Sequence, residues 1–321
     1  MKNFISDLFK LDKKPKHGLL PVEWVVLAYI VFTSVLIFIY YSKLVNPQAM
    51  VSGRFHVLAI SLSLWLVYRL LPCRFTFVAR IIVQMALLAL WYPETYELNR
   101  IFPNLDHYFA IWEQTLFGMQ PALTFATTFS SKIISELMSM GYAAFYPMIV
   151  LTALYYLFFH SRQFQQCTFV IVASFFAYYA IYDLLPVVGP TFYYKAVGLE
   201  NVTKGFFPNV GDYFNTHRGC LTTPGFHDGF FYHLVEDAKA AGERPTAAFP
   251  SSHVGIATIC MLLFWHVRNW KMIGILFPFY FFLCLATVYI QAHYVIDALA
   301  GLITGVLFYS VFMHISRNFK G

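Results

Sequence analysis

The stretch FPSSHVGIATICMLLFWHVRNWKMIGILFPFYFFLCLATVYIQAHYVID, residues 249–297, holds two apolar runs, 252–267 and 272–290, joined by a basic turn at Arg268 and Lys271. Each run is close to the ~20 residues an α-helix needs to cross a bilayer. The pair therefore reads as one helix in and one helix back. The flanks are polar: Pro250, Ser251, Ser252 and His253 precede the first run, and His293 and Asp297 follow the second. Such a hairpin returns the chain to the face it left, so the two histidines are expected at one level of a membrane.

The whole chain has the same character. Of its 321 residues, 59% are apolar, 20% are aromatic and only 12% are charged, against about 25% charged in an ordinary soluble domain. A soluble enzyme is excluded. Further apolar runs at 21–42, 55–71, 77–92, 140–159, 168–188 and 294–315 raise the expectation to about eight spanning helices in an all-α polytopic membrane bundle. We divide the chain into a basic segment 1–20, N-terminal helices 21–92, a region 93–139 with a short interfacial helix at 105–117, and a catalytic core 140–321. That core includes a polar outward loop, 189–250. The run after the lysine-rich first twenty residues lacks a small-residue cleavage site and is expected to be retained as the first helix.

The net charge of +6 is read as orientation, not as a nucleic-acid surface. With the N-terminus cytoplasmic, Lys2, Lys10, Lys13, Lys14, Lys16, Arg69, Arg74, Arg80, Arg162, Arg268, Lys271, Arg317 and Lys320 all fall inside. Only Lys43, Arg54, Arg100 and Lys132 fall in or beside the short outer connections. The positive-inside rule then gives N-in and C-in, with the histidines on the extracytoplasmic face. The five scattered cysteines have no ligand or disulfide spacing, and no metal or cofactor is expected.

His293 and Asp297 are four apart on a helix and share a face, so the carboxylate is expected to hold Nδ1–H and aim Nε2 outward. Pro250 suits a helix start, where the Ser251 and Ser252 hydroxyls and the first free N–H groups form an anion site for phosphate. Ionisable groups at membrane depth default to function. Asp183, beside Tyr182 at the end of the fifth run, and Arg218 and Asp228 in the outward loop are candidates for binding a polar headgroup. His217, His227 and His233 read as solvated loop residues, and the His227/His233 spacing suits no metal site on one helical face. Asp106 and Glu113, seven apart, share a helix face and read as the wet side of the interfacial helix.

The PSSH motif, followed forty residues later by HYVID, resembles the second and third signatures of the type 2 phosphatidic acid phosphatase superfamily. Within it the chain is most similar to the inositol phosphorylceramide synthase branch, through D-x6-E-x2-LFG-x2-P from Asp106 to Pro121 and GP-F-YY from Gly189 to Tyr194. The resemblance implies a six-helix phosphatase-like core and a metal-free phosphohistidine mechanism. His293 would attack phosphorus, Asp297 would orient and balance it, and His253 would shuttle the proton. Arg244, Ser251 and Ser252 would hold the phosphoryl oxygens. Lys239 stands near the first signature's lysine position, but with four residues between it and Arg244 instead of six. Thr287 stands where the phosphatases carry an arginine, and Ser252 where they carry a glycine.

A dianionic phosphomonoester needs more positive charge than a diester, so the missing arginine favours a transferase. The implied reaction moves phosphoinositol from phosphatidylinositol to a ceramide or dihydroceramide and releases diacylglycerol. Its partners are a phospholipid donor, a ceramide-like acceptor and the membrane. The alternative within the superfamily is a lipid phosphate phosphatase with water as acceptor. A proton-coupled carrier also fits buried His and Asp, but the chain shows no internal repeat.

Overall fold

The computed structural model describes residues 8–13 and 15–319, so Lys2, Lys14 and Lys320 of the charge distribution lie outside the described residues. The chain folds as an all-helical polytopic bundle. Its helices are α1 (Pro21–Ile39), α2 (Pro47–Leu70), α3 (Arg74–Asn99), α4 (Asp106–Phe117), α5 (Pro121–Thr128), α6 (Lys132–Ala143) and α7 (Phe145–Phe159). They continue with α8 (Phe164–Leu184), α9 (Pro190–Val197), α10 (Leu199–Thr203), α11 (Phe230–Gly242), α12 (Ser252–His266), α13 (Trp270–Tyr289) and α14 (Val295–Ser316).

Every apolar run expected to cross the membrane is helical. By length and composition, α1, α2, α3, α8, α13 and α14 are long enough to span. The run 140–159 is not one straight helix: α6 and α7 meet at a bend of 46°, and only taken as one pair are they long and apolar enough to count as a seventh span. Pro147 in the first turn of α7 has no N–H to give the carbonyl four residues back, which accounts for the break. The eighth expected span, α12, has only 15 residues and is enclosed by α7, α8, α13 and α14. Arg268 turns the chain with φ 55°, and Asn269 starts α13 by accepting from the Met272 N–H at 3.1 Å.

The core centres on α8, which packs against α1, α3, α7, α12 and α14. Along α14 only 17% of the apolar window is buried, against 78% for α8, so most of α14 is left to face lipid. Buried charges tie the N-terminal helices together. Arg80 of α3 gives Nε and Nη2 to the Glu23 carboxylate of α1 at 2.8 and 2.5 Å, and Arg54 of α2 pairs with Glu94 of α3 at 2.6 Å. Both arginines counted toward orientation are therefore neutralised inside the bundle.

Two expectations are corrected. Region 189–250 is not an open polar loop, because α9, α10 and α11 form within it. Nor are Asp106 and Glu113 the wet side of α4. Both are completely buried, and the exposed face carries Tyr108, Ile111, Trp112 and Leu116. Where the solvent is lipid, an amphipathic helix turns its apolar face outward and its carboxylates inward.

The close approach of α12 and α14 sets the site. A Cβ on Gly301 would collide with the carbonyl oxygen of Ser251, and one on Gly305 would lie 2.7 Å from the carbonyl of Gly255. Small residues at such crossings let backbones touch. Gly301→Val is expected to cost about 1–3 kcal/mol through overpacking, measured as thermal unfolding in detergent. Gly274→Ala, where nothing lies within 4 Å, should leave the melting temperature unchanged or slightly raised; equal losses in both variants would refute this account of the crossing.

Candidate active site

Ser251 is the N-cap of α12, its Oγ accepting from the Val254 N–H at 3.4 Å. Its own N–H donates to the Asp297 carbonyl at 3.0 Å, so the two polar segments are bonded directly. The Tyr182 hydroxyl accepts from the Ser252 N–H at 3.0 Å and donates to the Pro250 carbonyl at 2.8 Å. The free anion site expected here is thus partly closed, since two of the first N–H groups of α12 have partners. The His253 N–H has no hydrogen-bond partner among the described residues, whereas the Ser252 side chain as well as its backbone meets the Tyr182 hydroxyl.

His253, on the first turn of α12, lies between Tyr142, stacked at 4.7 Å, and Phe145 at 4.3 Å. Its ring centroid is 5.9 Å from that of His293. The hairpin thus brings together the two histidines singled out in the sequence. His293 is 4% exposed. Its Nδ1 lies 2.8 Å from the Ala248 carbonyl, and a carbonyl can only accept, so Nδ1 carries the proton and Nε2 keeps its lone pair. Burial lowers the His293 pKa to about 4, against the upward pull of the Ala248 bond and Glu243. The ring is a neutral base at physiological pH.

The holding part expected of Asp297 belongs to Ala248. Asp297 Oδ2 is 3.7 Å from Nδ1 and instead accepts from the Tyr294 N–H at 2.9 Å, closing the first turn of α14. At that distance the carboxylate can still balance a cationic imidazole. Thr287, in the position of the phosphatases' arginine, is completely buried. Its hydroxyl bonds back to the Cys284 carbonyl at 2.9 Å, and its own carbonyl accepts the His293 N–H at 2.9 Å. No cation stands there.

The other named residues divide. Arg244 is half-buried and directly follows Glu243, whose charge acts on His293. Lys239 is spent within its own region: Nζ donates to Thr223 Oγ1 at 2.8 Å and the Leu221 carbonyl at 3.4 Å, with Glu236 at 3.5 Å. Asp183 points away from the histidines and accepts from Tyr29 of α1 at 3.0 Å; its neighbour Tyr182 is the residue that meets the PSSH turn. Arg218 is exposed, its guanidinium over Tyr96 at 5.0 Å. Asp228 is exposed as well.

The two carboxylates read from the sequence as the wet side of α4 are bonded instead to the segments that carry His293 and α14. Asp106 accepts from Asn104 at 2.7 Å, from the Val188 and Gly189 N–H groups at 2.7 and 2.8 Å, and from Tyr294 at 3.2 Å. Burial raises its pKa to about 6 against those bonds. Val187 in turn accepts from the Ala248 N–H at 3.0 Å, and Thr191 donates to the Gln291 carbonyl at 2.8 Å. Gly189 sits at φ 89°, with the Ala292 carbonyl where a Cβ would be. Glu113 accepts from the Ile296 N–H at 3.0 Å, capping α14, and burial raises its pKa to about 7. The Asp106 and Glu113 spacing in the motif was the available signal; burial of that face was not.

The site thus joins two neighbouring histidines, one on the first turn of α12 and one just ahead of α14, in a helical membrane bundle. A sequence profile of the PAP2 superfamily matches residues 107–311, and the chain belongs to that superfamily. The match runs from α4 into α14 and so takes in both histidine segments, while α1 to α3 precede it. Membership makes this a membrane-embedded enzyme of the lipid phosphate phosphatase and phosphotransferase class. No curated protein and no solved structure gives a significant match.

Asp106→Ala leaves two buried N–H groups without a partner, each worth about 1–3 kcal/mol. A loss of about 3–5 kcal/mol in stability is expected by thermal unfolding in detergent, with Asp106→Asn, which keeps one acceptor oxygen, falling between that variant and wild type. Wild-type stability in Asp106→Ala would contradict the clamp.

Proposed function

We propose that the enzyme is a lipid phospho-headgroup transferase of the inositol phosphorylceramide synthase type. It moves phosphoinositol from phosphatidylinositol to the primary hydroxyl of a ceramide or dihydroceramide and releases diacylglycerol. The observation that carries this reading is the electrostatics of the site: a neutral His293 beside a buried Thr287 where the phosphatases hold a cation. A phosphodiester brings one negative charge and needs less compensation than a phosphomonoester dianion.

In the proposed reaction, His293 Nε2 attacks phosphorus, and the bond from phosphorus to the diacylglycerol oxygen breaks. Protonated His253 gives its proton to the departing alkoxide. Nδ1–H stays on Ala248, and Asp297 at 3.7 Å balances the cationic phosphoimidazole. The acceptor hydroxyl then gives its proton to His253 and attacks phosphorus, the P–N bond breaks, and both histidines return to their starting states. Arg244 and Ser252 hold the phosphoryl oxygens, and Ser251 shapes the turn; the bonds of Lys239 leave it a structural part. In this reading the termini are cytoplasmic and the site is extracytoplasmic, supported by Arg268 and Lys271 at the opposite end of the α12–α13 hairpin.

The deciding experiment supplies purified enzyme with fluorescent ceramide and phosphatidylinositol and follows lipid product and inorganic phosphate. A phosphoinositol-ceramide is expected with wild type and a loss of at least about a hundredfold with His293→Ala. Phosphate release without lipid product would instead make the enzyme a phosphatase.

The nucleophile's pKa of about 4 gives a second expectation. Because the free base attacks, labelling of His293 by phosphate-labelled donor should not show an acid limb at the ordinary histidine value of about 6.5. On the acid side, labelling should fall only as pH drops toward about 4, where the His293 ring takes up a proton. A limb near 6.5 in quenched-flow labelling would contradict a depressed His293.

A further inference from the structure

Glu243 ends α11 immediately before Arg244. Its N–H donates to the Lys239 carbonyl at 3.0 Å, which fixes the backbone, whereas its Oε2 is buried and has no hydrogen-bond partner among the described residues. A buried carboxylate oxygen without a donor is costly, and native proteins rarely leave one so. Neither the adjacent Arg244 nor any other described residue donates to it. The field of this carboxylate is felt at His293, Tyr92 and Tyr142, and Tyr142 is the ring stacked on His253. His293 Nδ1 is committed to Ala248, and Lys239 is committed to Thr223, Leu221 and Glu236.

A donor carried by the substrate would complete the Glu243 carboxylate. Phosphoryl oxygens of a diester only accept, and they are repelled by a carboxylate. What fits is a hydroxyl carried by the lipid, close to but separate from the phosphorus. We propose that Glu243 is a specificity residue of the active site that accepts a hydrogen bond from a substrate hydroxyl, either on a polyol headgroup or on the acceptor lipid. This inference deepens the transferase reading and rests on it. A carboxylate beside the nucleophile also disfavours a phosphomonoester dianion, which brings more negative charge and fewer donors.

Binding separates the two ideas, because affinity is read without turnover. Phosphatidylinositol, ceramide and phosphatidic acid are titrated onto full-length wild type, Glu243→Gln and Glu243→Ala in detergent by native mass spectrometry, with melting temperatures taken alongside. Loss of a charge-assisted hydrogen bond should weaken binding about tenfold in Glu243→Ala and less in Glu243→Gln, which keeps the shape and an acceptor oxygen. A loss confined to phosphatidylinositol places the hydroxyl on the headgroup, and one confined to ceramide places it on the acceptor. In either case phosphatidic acid should bind unchanged or more tightly. Equal affinities for all three lipids in all three proteins, or equal weakening for all three lipids, would overturn the inference. Absence of transfer product from wild type would count against the transferase reading alone.

Discussion

The Asp106 carboxylate is the constraint on which the site depends. It is completely buried and gathers donors from three places: Asn104 beside it, the backbone at Val188 and Gly189, and the Tyr294 hydroxyl at the start of α14. A lone carboxylate buried in this way would not stay charged. Four donors offset the desolvation in part, and the compromise leaves its pKa near 6. Two of these four bonds fix the segment 187–191, whose Val187 carbonyl and Thr191 N–H reach Ala248 on one side and Gln291 on the other. Ala248 then holds Nδ1 of His293. One carboxylate thus determines, through two further bonds, which nitrogen of the nucleophile is free.

The second requirement is that the two histidine-bearing helices approach closely enough. Gly301 and Gly305 allow the backbone of α14 to touch Ser251 and Gly255 of α12, and the Ser251 N–H bonds to the Asp297 carbonyl across that contact. Lipid offers no hydrophobic drive to press helices together, so backbone contact and polar bonds do the holding. Glu113 adds to this by capping α14 from α4. The ring separation of 5.9 Å follows from glycine contacts, a capped helix and the clamped segment behind, without any bond between the histidines themselves.

Much of this was legible in the sequence, and the reasons differ by residue. His253 and His293 were legible because apolar run length fixes where a membrane hairpin begins and ends. Asp297 was legible as a neighbour but not as a holder, since periodicity cannot see that the Ala248 carbonyl, distant in sequence, lies closer to Nδ1. Asp106 and Glu113 were put on the right face and in the wrong medium, because helical spacing says which residues share a side and not whether that side meets water or protein. Asp183 was rightly singled out as unusual in an apolar helix. The partner that explains it, Tyr29, lies on α1, and no local pattern points there. The bend between α6 and α7 was signalled by Pro147 but masked by the otherwise apolar character of the run 140–159.

The charges around the histidines argue for the kind of phosphate this enzyme handles. Glu113, Glu243, Asp106 and Asp297 lie on or behind the site, whereas Lys239 is tied up in its own region and Thr287 contributes a hydroxyl turned back into α13. Arg244 and a helix N-terminus are what remains on the positive side. Such a balance suits a single negative charge at phosphorus, because each added charge must be compensated inside a medium of low dielectric. In the proposed reaction a neutral imidazole is the nucleophile consistent with it: a cationic ring there would attract the anion but have no lone pair with which to attack. Positive charge in that proposed reaction therefore arises on His293 only when the bond to phosphorus forms, and Asp297, 3.7 Å away while bonded to the Tyr294 N–H, is the carboxylate nearest to meet it.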